Sequence, residues 1–315
     1  MITTRLYQKE DQPLWDDFIT NSENGLFLFQ RDYLEYHSDR FNDHSLLIFD
    51  DEHLRAVFPA NLRADEVTLS SHDGLTFGGL IYPIKTRIKD LLLITQALVD
   101  YASENQIESI SFKPVPYYFR KNYCGADLYA FFQSGAQLAT RELSTLLRQC
   151  GEQTSFSQLR KRAIKKAIKH NVQVQESSDF ASFHTLLSEV LSRHDAVPTH
   201  SLHELLYLTN LFPDKIQLNC AFLDSTMIAG VVSFDFDNAV HTQYLASSET
   251  GRNLGALDLI LTTLVERYGE KRILSFGIST EQSGQFLNQG LAQYKESFGG
   301  VSSTIDSYNW ALNNT

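Results

Sequence analysis

The 315-residue sequence predicts two tandem α/β domains in an α+β arrangement, each a mixed, mostly antiparallel sheet flanked by helices. Three observations predict this. The length suits two domains of about 150 residues, and 43% hydrophobic against 21% charged residues is the balance of a chain able to fill two cores. Strand-like and helix-like periods alternate along the chain. Landmarks also recur: hairpin tips at Asp50 and Asp224, Tyr82 and Tyr244 each ahead of a helix, and Ser111-Phe112 and Ser275-Phe276 in the strands after those helices. Their offsets are 174, 162 and 164. Three landmarks in one order at nearly one spacing read as a duplicated unit, with the division expected at 1–150 and 151–315.

The elements follow in order. Ile2–Tyr7 reads as a strand, and Pro13–Thr20 as a helix with proline in its first turn. A second helix is expected over Arg31–Arg40. Ser45–Phe49 and Leu54–Pro59 flank the polar tip Asp50–His53, which signals a hairpin. Leu75–Tyr82, with Gly78-Gly79 inside, reads as a strand with a bulge or a close backbone approach. Ile88–Ser103 repeats apolar residues at a partial helical period, and Ile107–Phe112 reads as a strand. The polar break Gly151–Thr154 opens the second half. It is expected to hold helix Phe156–Lys169, strand Val172–Gln175, and helices Phe180–Arg193 and Leu202–Leu211. Strands Leu218–Leu223, Met227–Phe234 and Ala239–Ala246 come next. Helix Leu257–Tyr268, strand Ile273–Phe276 and an amphipathic helix Gln285–Phe298 complete the half.

Composition excludes several classes. The net charge is −11 and the pI about 5.3, against the usual basic balance of a duplex-binding protein. The three cysteines, Cys124, Cys150 and Cys220, are far apart and form no CxxC pair, so neither a zinc site nor a disulfide framework is expected. No metal pattern is present. The N-terminal stretch lacks the apolar run of a signal peptide. No apolar run approaches the roughly 20 residues of a membrane helix. The expectation is a cytoplasmic protein without membrane insertion.

Chemistry concentrates in the second half. Gly251–Ala256 reads as a loop between a strand and a helix. A helix N-terminus carries unsatisfied N–H groups and partial positive charge, so it favours anions. Glycine admits close backbone approach, and Arg252 offers a charge-assisted bond to a phosphate. An ordinary strand-to-helix turn fits the same residues. Tyr294-Lys295-Glu296-Ser297-Phe298-Gly299 places a lysine beside an apolar face formed by Leu287, Leu291, Tyr294 and Phe298. Glu281 follows a strand end, where ligands of open α/β sheets tend to sit. It suits a general base or a carboxylate at a helix start. Arg160, Lys161, Arg162, Lys165, Lys166 and Lys169 crowd one helix, either to capture an anion or as a solvated basic face. His194 and His200 bracket a loop and are candidate substrate contacts, as is Asn288.

The Gly251–Ala256 stretch resembles the acyl-CoA loop of GNAT acetyltransferases, R/Q-x-x-G-x-G/A. Arg252 and Gly255 match, while Leu257 stands at the last position with the small Ala256 before it. The stretch Phe276–Gly300 resembles two related groups with paired GNAT halves, the BioF2-like acetyltransferases and the FemABX peptidyltransferases. The second group shares the pattern [FY]-K-x-x-F-G. These resemblances imply two GNAT-like domains and an N-acyltransferase that uses acetyl-CoA or another acyl-CoA as donor. The implied acceptor is an amine of a small or carbohydrate-linked molecule, as in surface-polysaccharide and cell-envelope biosynthesis. They imply cofactor contacts at Gln243, Tyr244, Leu245, Arg252, Asn253, Leu254, Gly255 and Ala256. They imply charge stabilisation by Lys295 and proton handling by Glu281. The FemABX resemblance implies the alternative of an aminoacyl-tRNA donor and a peptidoglycan precursor. A third reading is a non-catalytic binding protein with a degenerate GNAT fold.

Overall fold

The computed structural model describes residues 2–148, 156–193, 195–268 and 273–312. The expected break at Gly151–Thr154, together with Cys150 and His194, lies outside the described residues. The chain divides into two compact units, Met1–Arg141 with Ile305–Thr315, and Glu142–Thr304.

The first unit contains β1 (Ile2–Leu6), α1 (Gln12–Asn21), β2 (Leu46–Asp50), β3 (His53–Phe58), β4 (Thr68–Ser71), α2 (Ile88–Glu104), β5 (Ser109–Phe112) and α3 (Ala126–Gln133), and the first part of β6 (Gln137–Leu147). β1, β2 and β3 form an antiparallel sheet. β4 and β5 pair in parallel, and residues Tyr308–Ala311 pair antiparallel with β5 on its other side. The core lies between these strands and the face of α2 that carries Leu91, Ile94, Leu98, Tyr101 and Ala102, a helical stripe buried on one side.

The second unit contains α4 (Gln158–Lys169), β7 (Gln173–Glu176), α5 (Phe180–Ser192), α6 (Leu202–Leu211), β8 (Ile216–Leu223), β9 (Thr226–Asp235), β10 (Ala239–Ser247), α7 (Glu249–Leu254), α8 (Ala256–Tyr268), β11 (Ile273–Ile278), α9 (Gln289–Glu296) and the first part of β12 (Val301–Ala311). Its ladder runs β7-β8-β9-β10-β11 and ends on the second part of β6. All pairs are antiparallel except β10 with β11. Side-chain caps start several helices: Ser157 on α4, Asp179 on α5, and a reciprocal Ser201–Glu204 box on α6. Ile260, Leu261 and Leu264 of α8 bury against Val231, Val240 and Leu274 of the sheet.

The mixed, mostly antiparallel sheets flanked by helices match the expected fold class. Several elements differ. Arg31–Arg40 holds only a four-residue helix, Arg31–Leu34, and a 3₁₀ turn. Leu75–Tyr82 makes isolated bridges at Gly78 and Ile81 in place of a strand. The last helix starts at Gln289, because Thr280-Glu281 and Phe286-Leu287 first form a small hairpin. Leu287 and Leu291 are both 40% exposed, so they do not extend an apolar face.

The largest correction concerns Gly251–Ala256. It is no open loop. Residues 249–254 are helical, capped by the Ser248 side chain, which accepts from the Gly251 N–H at 3.0 Å. Gly255, with φ +78°, ends this helix in the left-handed region, and α8 begins at Ala256. Both glycines face protein. A Cβ on Gly251 would strike the Ile228 carbonyl of β9, and one on Gly255 would lie 2.8 Å from the Ala163 carbonyl of α4.

Candidate active site

The site begins with a fork. β10 and β11 pair in parallel through Ala239/Ile273, Val240/Leu274 and His241/Ser275, and the ladder stops there. β10 continues to Ser247 and β11 to Ile278 without another rung between them. The vertex is tied by side chains. His241 Nδ1 lies 3.1 Å from Ser275 Oγ, and Thr242 Oγ1 donates to the Ser275 carbonyl at 3.3 Å. Beyond it, one strand edge on each arm is left with its backbone polar groups unclaimed by the other arm. Such groups need other partners.

A β-bulge shapes the β10 arm. Thr242 faces Ser233 and Tyr244 faces Val232, so Gln243 is the extra residue. An extra residue bends the strand and re-aims its side chains. Tyr244 then reaches His200, whose buried Nδ1 lies 2.5 Å from the phenol oxygen. Burial pushes the Tyr244 phenol up. His184 Nε2 contacts the His200 carbonyl at 3.1 Å and fixes the loop that carries it. Two residues far apart in sequence, His200 and Tyr244, therefore form one unit beside the bulge.

Lys295 sits at the end of the other arm. Its α9 backbone places it 6% exposed, and Nζ donates to the carbonyls of Gly277 at 3.0 Å and Ile278 at 2.5 Å. Gly277, with φ +70°, turns the end of β11 and lies against the His241 ring. No carboxylate pairs with Lys295 among the described residues. Burial alone lowers its pKa to about 8. The neighbouring aromatics serve the core: Phe298 is fully buried, and Tyr294 meets it edge-on at 5.3 Å between ring centres. Arg160 stands over the Tyr294 ring and pairs with Asp258 at 2.5 Å.

Glu281 and Asn288 also meet. The exposed Glu281 carboxylate accepts from Asn288 Nδ2 at 2.9 Å, while Asn288 Oδ1 caps α9 at the Leu291 N–H. Asn288 thus fixes both the helix that carries Lys295 and the carboxylate at the hairpin rim. Arg252 and Asn253 are exposed on α7, and Arg252 Nη1 donates to the Ser247 carbonyl at 2.9 Å. Leu254 is half-buried, and Ala256 is buried with Gly255.

Sequence reasoning missed His241, Thr242, Ser275 and Ser279. Ser275 is fully buried. Ser279, 1% exposed, keeps its hydroxyl without a hydrogen-bond partner among the described residues. A signal existed: Ser275, Gly277 and Ser279 alternate with Leu274, Phe276 and Ile278, so small residues recur with the strand period. A mostly buried strand with one face of small residues is a hint of a site.

No protein-family model matches the sequence, and no curated protein matches it. Solved structures do. FemX matches with a TM-score of 0.69 at 11% identity, over 98% of this chain and 97% of that one. L-PGS from Bacillus licheniformis matches with 0.62 at 10% identity, over 98% and 92%. A tandem GNAT protein from the clavulanic acid biosynthesis pathway matches with 0.52 at 9% identity, over 100% and 99%. At these identities the likeness is one of fold. The chain has the tandem GNAT fold.

Proposed function

We propose that the chain is an N-acyltransferase whose donor and amine meet at the fork between β10 and β11, with Lys295 as the charge-stabilising group. The observation that carries this reading is a buried lysine at the open end of a strand pair, bonded to two carbonyls and, among the described residues, to no carboxylate. A buried charge without a counter-charge costs stability. That cost is understandable where a reaction develops negative charge.

In acyl transfer the amine nitrogen bonds to the acyl carbon, and the carbonyl oxygen becomes an oxyanion. As it collapses, the bond to the leaving sulfur breaks and the thiolate departs with the electron pair. The amine's proton passes to a base. Lys295 would hold the oxyanion. Loss of one such donor typically costs about 10²–10³ in rate. Glu281, held by Asn288 at the rim, is the candidate proton acceptor. The His200–Tyr244 pair would orient the substrate beside the bulge.

The donor in this reading is acetyl-CoA or another acyl-CoA, laid along the free edge of β10 at Gln243–Leu245. The exposed Arg252 and Asn253 would meet its phosphates, with Leu254–Ala256 as the turn behind them. The acceptor is an amine of a small or carbohydrate-linked molecule in the cytoplasm, suited to cell-surface polysaccharide assembly. Calorimetry with acetyl-CoA, followed by a transfer screen over amino sugars and amino acids, tests it. The expected result is binding and transfer by the native chain, and binding with turnover lowered about 10²–10³-fold in Lys295→Ala. An absence of binding at millimolar acetyl-CoA would sink the donor, and unchanged turnover in Lys295→Ala would sink the lysine's role.

One observation favours a second reading. Gly251 and Gly255 face the carbonyls of Ile228 and Ala163, which leaves no glycine cradle for a pyrophosphate. An aminoacyl-tRNA ester, delivered to a peptidoglycan precursor, needs no such cradle. Transfer from charged tRNA with none from acetyl-CoA would select it.

A further inference from the structure

The basic helix α4 carries a charged surface that holds none of the residues assigned to the fork. Arg160 turns inward to Asp258, and Ala167 is fully buried against the core. Lys161, Arg162, Lys165, Lys166 and Lys169 are all exposed. At 100° per residue they centre on the side opposite Arg160, Ala163, Ile164 and Ala167. Leu159 and Ile168, 62% and 59% exposed, stand on the two margins of this stripe.

The stripe does not serve the helix. Lys161 with Lys165, Arg162 with Lys166, and Lys165 with Lys169 are like-charge pairs four residues apart, each destabilising by roughly 0.2–0.5 kcal/mol. No acid stands in the first turn, where one would help. The chain holds 38 acidic residues, yet none pairs with these five cations among the described residues. Within a Debye length of about 8 Å the local charge outweighs the distant net charge.

We infer that this face of α4 docks on an anionic phospholipid surface, with the cations on headgroup phosphates and Leu159 and Ile168 flanking them against the headgroup layer on either side. The aliphatic margins decide between polyanions. A lipid interface accepts aliphatic side chains and lysine stems. A nucleic-acid strand offers them little, and aromatic side chains for base stacking are absent from the stripe. Docking of this kind is peripheral, and no helix among the described residues is long and apolar enough to cross a membrane. The proposal is independent of which acyl donor the fork takes.

Co-sedimentation of the full chain tests it, using vesicles of phosphatidylcholine alone and of phosphatidylcholine mixed with phosphatidylglycerol. The chain is expected to pellet with the mixed vesicles only. Lys165→Gln and Lys166→Gln should each weaken binding about fivefold, and added salt should release the native chain. Ile168→Asp should weaken vesicle binding further. Circular dichroism checks each variant's fold, and the salt titration needs no variant. Three results would overturn the inference: no binding to mixed vesicles, equal binding to both kinds, or tighter binding to a poly(U) strand that Ile168→Asp leaves unchanged.

Discussion

The two units place the same parts to different ends. In the first, β4 and β5 pair in parallel from Thr68/Ser109 to Ser71/Phe112, and Gly78 continues the contact by bridging Pro114. In the second, the corresponding ladder opens at His241/Ser275. The helix that follows repeats the contrast. The seventh residue of α3 is Phe132, 70% exposed; the seventh of α9 is Lys295, 6% exposed, at an offset of 163 in line with the other landmarks. Buried arginines of the first unit are answered in full. Arg120, 1% exposed, binds both oxygens of Asp127 at 2.5 and 3.0 Å and also meets the Tyr82 hydroxyl. A zipped ladder with a paired charge is architecture. In the second unit the ladder is open, and the buried Lys295 has no carboxylate partner among the described residues.

That contrast can be broken experimentally, beginning with the first unit. Arg120→Ala leaves Asp127 buried without its partner and should destabilise the unit by about 3–5 kcal/mol, read as a fall in thermal midpoint. A change near zero would mean that the pair is not structural. In the second unit, Lys295→Ala should lower turnover about 10²–10³-fold with little change in donor affinity, while Phe132→Ala leaves both unchanged. Steady-state kinetics on the pair of variants reads the asymmetry directly.

Gly255→Ala sharpens the helical correction. With φ at +78° and the Ala163 carbonyl 2.8 Å from the new Cβ, it should cost about 1–3 kcal/mol of stability. A variant as stable as the native chain, with donor binding lost, would restore the cradle that the packing denies. The pH profile reads the sign of the lysine's role. Its pKa is about 8, so the cation is present below that value and is lost as pH rises through it. Charge stabilisation therefore predicts falling turnover above pH about 8, whereas a lysine acting as base would give a rise. The smallest effect should come from Tyr244→Phe, which removes one hydrogen bond to His200, worth about 1 kcal/mol in a melt.

Much of the fold was legible because local periods and caps carry it. The hairpins around Asp50 and Asp224, the helices Ile88–Glu104 and Phe180–Ser192, and the strands β8 to β11 all stand close to where pattern places them. What escaped depends on distant partners. α3 and β6 fall in a stretch where no element was expected. β12 closes the first unit by pairing Tyr308 with Phe112, a residue far away in sequence. No local period announces such a strand. The site divides similarly. Lys295, Glu281, Asn288, His200 and Tyr244 were named from the sequence, and the structure brings Glu281 to Asn288 and His200 to Tyr244. The fork vertex was invisible because a ladder's end is a property of two strands. Gly251 and Gly255 misled because a glycine that admits a ligand and one that admits a neighbouring carbonyl look alike in sequence.

The central claim is that Lys295 is a buried cation held ready at the fork. An NMR titration of ¹³C-labelled lysine side chains tests it most directly. One lysine, missing from Lys295→Arg, is expected to titrate with a midpoint near the value of about 8 set by burial and to shift when acetyl-CoA or charged tRNA is added. A Lys295 midpoint at the ordinary lysine value, unmoved by either donor, would contradict it.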